Sequence, residues 1–489
     1  MLHQSHRLEP DRLERFALRS VLGLAAVIVA GTGFALLVGL VRTAWEPLHA
    51  VDRAVTDALN TVVSGNALLL ETLQALTDFG GLAVLARVLV LATAFLLIRR
   101  RVRLAAYVVV TALGALILDR VVKLLVGRLR PVVEEPVATA AGMSFPSGHS
   151  MGSLVSYGVL LLVFAPAVPR RLRPMVVTVV VALVVVVGFT RIALGVHHLS
   201  DVIGGWLLGL VWLGITAVAF RRWRREIGLR TPALSEGLAP EEAPALEPVP
   251  AARREPLPHP WRGTAELSVA WVLILGALFG AGVLVTGVLD GSALAAADQA
   301  VIRWFADHRD PALAGLARVG SWIGNTQWIL AGTLAACALA LAVLRRWRPV
   351  LFLLVAMGGE LTLFLAAAAA VGRSRPPVPH LGPELPPTSG FPSGHVAAAL
   401  TLYTAIAVLV WHATGRWWRW AAVAAAVLIP LWCALSRMYR GVHYPTDVLA
   451  SVLLALPWVA VTWWVLRPRP GDAPRDPSPA GRPADGDAP

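Results

Sequence analysis

Lysine is almost missing from this sequence: Lys123 stands alone beside 42 arginines. Cysteine is nearly as scarce. Cys337 and Cys433 are the only two in 489 residues, and both lie inside apolar segments, so neither a disulfide framework nor a Cys-x-x-Cys metal site is possible. Charge is thin. Asp, Glu, Lys and Arg make up 15% of the chain, where a soluble domain carries roughly 25%. That deficit excludes a soluble globular enzyme and a disordered chain alike. The basic residues outnumber the acidic ones by 43 to 30, a net charge of +13, yet they sit at the ends of apolar segments rather than in one patch. A nucleic-acid partner is therefore not expected.

What is abundant is apolar surface: 57% hydrophobic residues and a mean hydropathy of +0.67. Lipid cannot solvate charge, so this balance predicts an all-α polytopic membrane protein. A membrane helix needs about 20 predominantly apolar residues. Twelve stretches come close enough, in two sets of six, near 20–41, 82–98, 104–126, 149–168, 174–190 and 202–220, then 267–288, 326–344, 349–371, 395–413, 421–435 and 448–466. The first is too long for a signal-peptide core and reads as a retained span. With the N-terminus in the cytoplasm, 28 Lys/Arg fall in inside segments and 11 in outside ones. The positive-inside bias thus predicts both termini in the cytoplasm.

Two segments break the apolar pattern. Residues 221–264 begin RRWRR and turn rich in Pro, Ala and Glu, which predicts a cytoplasmic linker without a core. The tail from 467 to 489 reads as disordered. The expected organisation is a cytoplasmic segment 1–19, a six-span domain 20–220, the linker 221–264, a second six-span domain 265–466 and the tail.

The two sets of spans are repeats. GRLRP at 127–131 matches GRSRP at 372–376, SFPSGH at 144–149 matches GFPSGH at 390–395, and RIALGVHHLSD at 191–201 matches RMYRGVHYPTD at 437–447. The first pair is offset by 245 residues and the other two by 246, and Asp52 and Asp298 are also 246 apart. A shared offset across separate blocks predicts duplication of a six-span unit. All three blocks fall on the predicted outer face.

In the first half the blocks supply Lys123, Arg130 and Arg191 as fixed cations, His149 and His197 as imidazoles, Asp201 as a carboxylate, and a turn at Ser147 and Gly148. This inventory suits phosphoryl transfer without a metal. Guanidinium groups bind phosphate oxygens two at a time, and Lys adds a point charge. Together they offset the charge that metal ions neutralise elsewhere.

These blocks resemble those of the type 2 phosphatidic acid phosphatase family, which also contains vanadium haloperoxidases and bacterial acid phosphatases. Each half is similar to one six-span domain of its membrane branch, and the resemblance covers nearly everything but linker and tail. It implies that His197 is the nucleophile and forms a phosphohistidine. Asp201, four residues on, would hold the ring tautomer. His149 would protonate the leaving oxygen. Lys123, Arg130 and Arg191 would clamp the phosphate, with Ser147 and Gly148 presenting backbone N–H groups at a helix start. No cofactor is expected. The implied substrate is a membrane lipid phosphate or diphosphate: phosphatidic acid, phosphatidylglycerol phosphate or a polyprenyl diphosphate of the undecaprenyl type.

In the second half Arg375, Ser393, Gly394, His395, Arg437, His443 and Asp447 match position by position, but Ala368 takes the place of Lys123. Arg440 stands where the first half has Leu194 and is a candidate replacement cation. The expectation is an active second site with weaker or different binding; the alternative is a site kept for binding or folding. Lys123 could instead be a helix-end lysine paired with Asp119 at i, i+4. His198 reads as a packing residue, since its counterpart is Tyr444. Arg128 and Arg373 are expected either to touch substrate or to meet lipid headgroups. Glu360, near mid-span, is either functional or a neutral, hydrogen-bonded group. Rival readings are a lipid phosphotransferase, a twelve-span transporter and a haloperoxidase.

Overall fold

Each of the twelve apolar stretches falls on a helix in the computed structural model, which describes residues 10–133, 137–138, 140–229, 236–248, 260–382 and 389–467. No strand occurs among the described residues. The chain divides into two units, Met1–Glu247 and Pro248–Pro489. The first holds α1 (Pro10–Arg42), α2 (Glu46–Ser64), α3 (Ala67–Thr77), α4 (Leu82–Ile98), α5 (Val102–Val126), α6 (Gly148–Phe164), α7 (Arg173–Ala193), α8 (Leu199–Glu226) and the single turn α9 (Ala243–Leu246). The second holds α10 (Pro260–Val283), α11 (Ala293–Asp307), α12 (Pro311–Ile323), α13 (Thr326–Leu344), α14 (Arg348–Val371), α15 (Gly394–Ala413), α16 (Arg419–Tyr439) and α17 (Pro445–Leu466).

Among the described residues, ten helices are long and apolar enough to cross a membrane. An eleventh counts if Thr72–Gly80 and Leu82–Ile98, bent by 46°, are one span. The two of the expected twelve that fall outside the ten are α4, with only 17 residues, and α5. Large apolar side chains remain exposed on the outer helix faces, such as Leu124 (78%), Leu125 (67%) and Val90 (66%). A surface of this kind needs lipid around it. The protein is a multi-pass membrane protein.

Within the first unit α6 is central and packs against α4, α5, α7 and α8, while α1 lies along α8. Small residues set the closest approaches. A Cβ on Gly114 would lie 2.1 Å from Trp212 Cζ2, and one on Gly359 would lie 2.0 Å from Trp458 Cζ2. The indole of Trp212 donates to Thr111 O at 2.8 Å, and that of Trp458 donates to Ala356 O at 2.9 Å. The two units thus repeat the same helix contact at offsets of 245 and 246, which fixes the correspondence of their spans.

The outside segments between the first and second spans of each half are helical, α2 and α3 in the first unit and α11 and α12 in the second. Helix α2 buries Asp52, Thr56, Asn60 and Val63, a stripe at helical spacing that is mostly polar. The expected linker is partly ordered, because α8 continues to Glu226 and residues 236–247 pack back within the first unit. Leu238 and Leu246 are buried there. Arg224 pairs with Glu241 and Arg101 with Glu242, each at 2.5 Å, and Arg99 Nε donates to Ala245 O at 2.7 Å. Proline stops this segment forming a long helix, but not from packing its few leucines. Residues 230–235, 249–259 and the tail beyond 467 lie outside the described residues.

Candidate active site

The three blocks meet at one end of each bundle. Helix α5 stops at Gly127 (φ +65°) and α14 at Gly372 (φ +62°), the left-handed C-cap that glycine adopts without steric cost. That turn directs the Arg-x-Arg-Pro segment across the bundle end. Ser147 caps α6, its Oγ accepting from Ser150 N at 3.4 Å. Gly195 (φ +68°) and Gly441 (φ +75°) make the equivalent turn after α7 and α16 and deliver His197 and His443.

His197 is 2% exposed. Arg130 Nη1 donates to its Nε2 at 3.1 Å and to Val196 O at 2.7 Å. Arg130 is further held by Ala141 O and Gly142 O, at 3.1 and 3.0 Å. On the other side of the ring, Nδ1 lies 3.3 Å from Ser144 Oγ and 3.5 Å from Asp201 Oδ2. Ser144 Oγ in turn donates to Asp201 Oδ2 at 2.5 Å. This chain places the ring proton on Nδ1 and leaves the Nε2 lone pair facing the guanidinium. Burial, reinforced by the charges of Arg130 and Arg191 and opposed by Asp201, pushes the His197 pKa down to about 4. The imidazole is neutral at pH 7. Burial also lowers the pKa of Arg130.

The other expected residues lie around this centre. Arg191 is 7% exposed and donates to Thr77 Oγ1 at 2.9 Å. His149, at the first turn of α6, packs its Cβ and Cδ2 3.3 Å from where a Gly80 Cβ would be. The charges of Arg191, His197, Lys123 and Arg130 all act on it. Lys123 Nζ is bound by both oxygens of Asp119, at 2.8 and 2.7 Å. It also lies 3.0 Å from the position a Gly148 Cβ would take. The helix-end pairing with Asp119 and a place beside the Ser-Gly turn are therefore both present. Ser147 N donates to Asp201 O at 2.9 Å and ties the second block to the third.

Arg128 and Arg373 meet neither expectation held for them. Arg128 is buried, its Nη1 donating to Asp201 Oδ1 at 2.7 Å and to Ser200 Oγ at 2.6 Å, its Nη2 to Asp52 Oδ2 at 2.7 Å. Ser200 N donates to Asp52 Oδ1 at 2.9 Å. The second unit repeats the arrangement. Arg373 donates to Asp447 Oδ1 at 2.5 Å, Thr446 Oγ1 at 2.7 Å and Asp298 Oδ2 at 2.9 Å, and Thr446 Oγ1 donates to Asp298 Oδ2. One guanidinium between two buried carboxylates, with their remaining lone pairs satisfied, is the geometry in which burial of such charge is tolerated. The one sequence signal for it was the 246-residue spacing of Asp52 and Asp298.

The second site differs at its edges. Gly390 replaces Ser144, and His443 Nδ1 donates directly to Gly390 O at 2.7 Å, with Asp447 Oδ2 at 3.7 Å. Arg375 Nη1 donates to Val442 O at 3.2 Å, and Arg437 Nη1 to Ser321 Oγ at 2.8 Å. Ser393 N donates to Asp447 O at 3.2 Å. The charges of Arg437, His443, Arg440 and Arg375 act on His395. Lys123 and Asp119 are lost together: their positions hold Ala368 and Phe364, and the Phe364 ring lies 2.7 Å from where a Gly394 Cβ would be. Burial lowers the pKa of His443, Arg375 and Arg440.

Residues 103–225 and 349–470, half of the chain and one copy in each unit, match the family model described as PAP2 superfamily. A phosphatidylglycerophosphatase B of Bacillus subtilis (strain 168) is 36% identical over 97 residues, 19% of this chain and 47% of that protein. An undecaprenyl-diphosphatase of Sulfolobus acidocaldarius is 34% identical over 134 residues, 26% of this chain and 60% of that protein. A decaprenylphosphoryl-5-phosphoribose phosphatase of Mycolicibacterium smegmatis is 41% identical over 96 residues, 18% of this chain and 47% of that protein. The chain spans about half the length of these curated relatives. A crystal structure described as the first transmembrane PAP2 type phosphatidylglycerolphosphate phosphatase, from Bacillus subtilis, aligns with 41% of this chain and 98% of its own. The identity there is 23% and the TM-score 0.38.

Proposed function

The chain belongs to the PAP2 superfamily, and from that membership we propose that it is an integral membrane phosphatase that hydrolyses a lipid phosphate or diphosphate through a phosphohistidine. The observation that carries this reading is the two-sided hold on His197: Nε2 toward Arg130, Nδ1 toward Ser144 and Asp201. Nε2 attacks phosphorus, the bond to the leaving oxygen breaks, and His149 gives that oxygen its proton. Water, giving its proton to His149, then attacks the phosphohistidine and returns inorganic phosphate and a free imidazole at His197. Arg130 and Arg191 bind the phosphoryl oxygens and stabilise the charge on them in the transition state. Asp201, through Ser144, steadies the ring as it becomes cationic. Lys123 contributes beside the Gly148 turn, released from Asp119 as the phosphate binds.

The names of the relatives support a polyprenyl or glycerophospholipid phosphate as substrate. The positive-inside bias supports a site on the outer face and termini in the cytoplasm. Gathering of the motif charges at one end of each bundle favours surface chemistry over a transport path near the midplane. An acceptor lipid in place of water would make the same steps a phosphotransfer.

The clamp consists of guanidinium and ammonium groups, which repel a divalent cation. Phosphate release from a panel of lipid phosphates in detergent is therefore expected to survive EDTA; abolition by EDTA and rescue by a metal would overturn the cationic clamp. The pH dependence follows from His197. Its pKa is depressed, so the nucleophile is unprotonated down to about pH 4 and is lost as pH falls through that value. Arg130→Gln removes one of the charges that depress it, so the acid limb of kcat/KM should move upward. Profiles of both proteins on one substrate read this shift, because the substrate's own ionisation is common to them. Coincident acid limbs would show that Arg130 does not face the nucleophile.

A further inference from the structure

A groove of about 570 Å³ opens beside the first site, between α4, α5 and α6. This is within the roughly 300–1,000 Å³ typical of small-ligand sites. Its upper end is formed by Asp119, Gly148 and His149, and its lower end by Leu97 and Val108. Along α4 the lining runs from Leu82 to Leu97, roughly 22 Å at 1.5 Å per residue, against a hydrocarbon core of about 30 Å. Val90, Leu113 and Leu116 on its walls are exposed at 66%, 56% and 41%, so the groove is open toward lipid along its side.

Its depth comes from small residues: Ala112 on α5, and Gly152 and Ser156 on α6, line it. With the spans matched by the two tryptophan contacts and the motif offsets, the same positions in the second unit hold Met357, Ala398 and Leu402. Each is larger, and all three belong to one packed cluster with Ile329, Tyr403 and Ile406. Leu402 is 2% exposed, and its Cδ2 lies 3.0 Å from where a Gly332 Cβ would be. Glu360, 3% exposed, stands at the position of the groove residue Ala115. Phe364 in place of Asp119 covers the turn at Gly394 that corresponds to the mouth. The space that is a groove in the first unit is side chain in the second, and the apolar groove that the second unit does have, about 630 Å³ between α15, α16 and α17, is lined by no residue of its three blocks.

We infer that the two units sort phosphate substrates by their hydrocarbon: the first seats a long lipid chain in the α4–α5–α6 groove while His197 works on its phosphate, and the second, with that space filled, acts on phosphates whose chain is short. This rests on the phosphatase reading above. The occupant is the substrate's own chain because the groove ends at His149, the residue assigned to the leaving oxygen. Such a chain extends from the leaving-group side of the phosphate into the bilayer.

The test uses the full chain in detergent, with phosphatidic acids of long and short acyl chains. His443→Ala leaves only the first unit, and its long-to-short ratio of kcat/KM should exceed about tenfold, the scale of methylene discrimination in an apolar pocket. Adding Ala112→Met and Ser156→Leu should reduce that ratio by about the same factor, with the unfolding midpoint as the check on folding. His197→Ala leaves only the second unit, whose ratio should be near or below unity. Opening that unit with Met357→Ala and Leu402→Ser should raise it, an independent arm should the filled variant not fold. The inference is overturned if filling the groove leaves the ratio unchanged, if His197→Ala protein is as selective for long chains as His443→Ala protein, or if it releases phosphate from neither chain length. Failure of the intact protein to release phosphate from any lipid would instead defeat the phosphatase reading itself.

Discussion

Replacement of His197 by alanine should cut phosphate release from a long-chain lipid phosphate by about 10³-fold or more, roughly 4 kcal/mol of barrier. Its imidazole supplies the atom that bonds to phosphorus, and no neighbouring side chain stands in the same place. Arg130 and Arg191 cannot attack, and Ser144 is engaged with Asp201 at 2.5 Å. His443→Ala should leave most of this long-chain release in place, because the second unit fills the corresponding groove. Measurement of inorganic phosphate from the intact protein, both single variants and the double variant separates the units. Full activity in the double variant would end the assignment of both histidines as nucleophiles. Loss confined to His443→Ala would reverse the ranking of the two sites.

Arg128→Ala should be the most damaging change away from the reacting atoms. It leaves Asp52 and Asp201, 1% and 0% exposed, facing one another without their shared cation. Removal of one member of a buried ion group costs about 3–5 kcal/mol, because the remaining charge is left uncompensated. The expected result is a markedly lower unfolding midpoint in detergent, together with loss of turnover as Asp201 no longer holds its place beside His197. Asp52→Asn keeps the hydrogen-bonding shape and leaves Arg128 paired with Asp201, so its penalty should be smaller. Equal stability of wild type and Arg128→Ala would mean that the cation does not join these carboxylates. Arg373→Ala probes the same joint in the second unit, where Tyr444 stacks on the guanidinium 4.4 Å from its centroid. The two proteins should lose stability alike.

Arg128 and Arg373 mark the limit of what is legible along the chain. An arginine next to a phosphate motif on a predicted membrane face invites a substrate or headgroup role. That Arg128 is turned inward depends on α2, whose Asp52 stripe lies over the bundle end, 76 residues away in sequence from the guanidinium it binds. Helix α2 gives no signal of a span, because its apolar content is too low. Ser144 belongs to the second block, but nothing in its identity shows that it lies between His197 and Asp201. The pairing of Lys123 with Asp119, by contrast, was legible, because i, i+4 contacts are local.

The chain alone therefore determined three things: a helical membrane protein, a duplicated unit, and the residue types gathered in its blocks. Each follows from properties that are local or periodic: hydropathy over about 20 residues, a constant offset near 246, and the fixed spacing of charged groups around turns. Tertiary structure decided what depends on packing between distant segments. It turned Arg128 inward, interposed Ser144 between ring and carboxylate, and packed residues 236–247 back within the first unit. It also opened a groove over Ala112, Gly152 and Ser156 where Met357, Ala398 and Leu402 close its counterpart. Volume at a helix interface is a property of three helices at once, so no single stretch of sequence contains it.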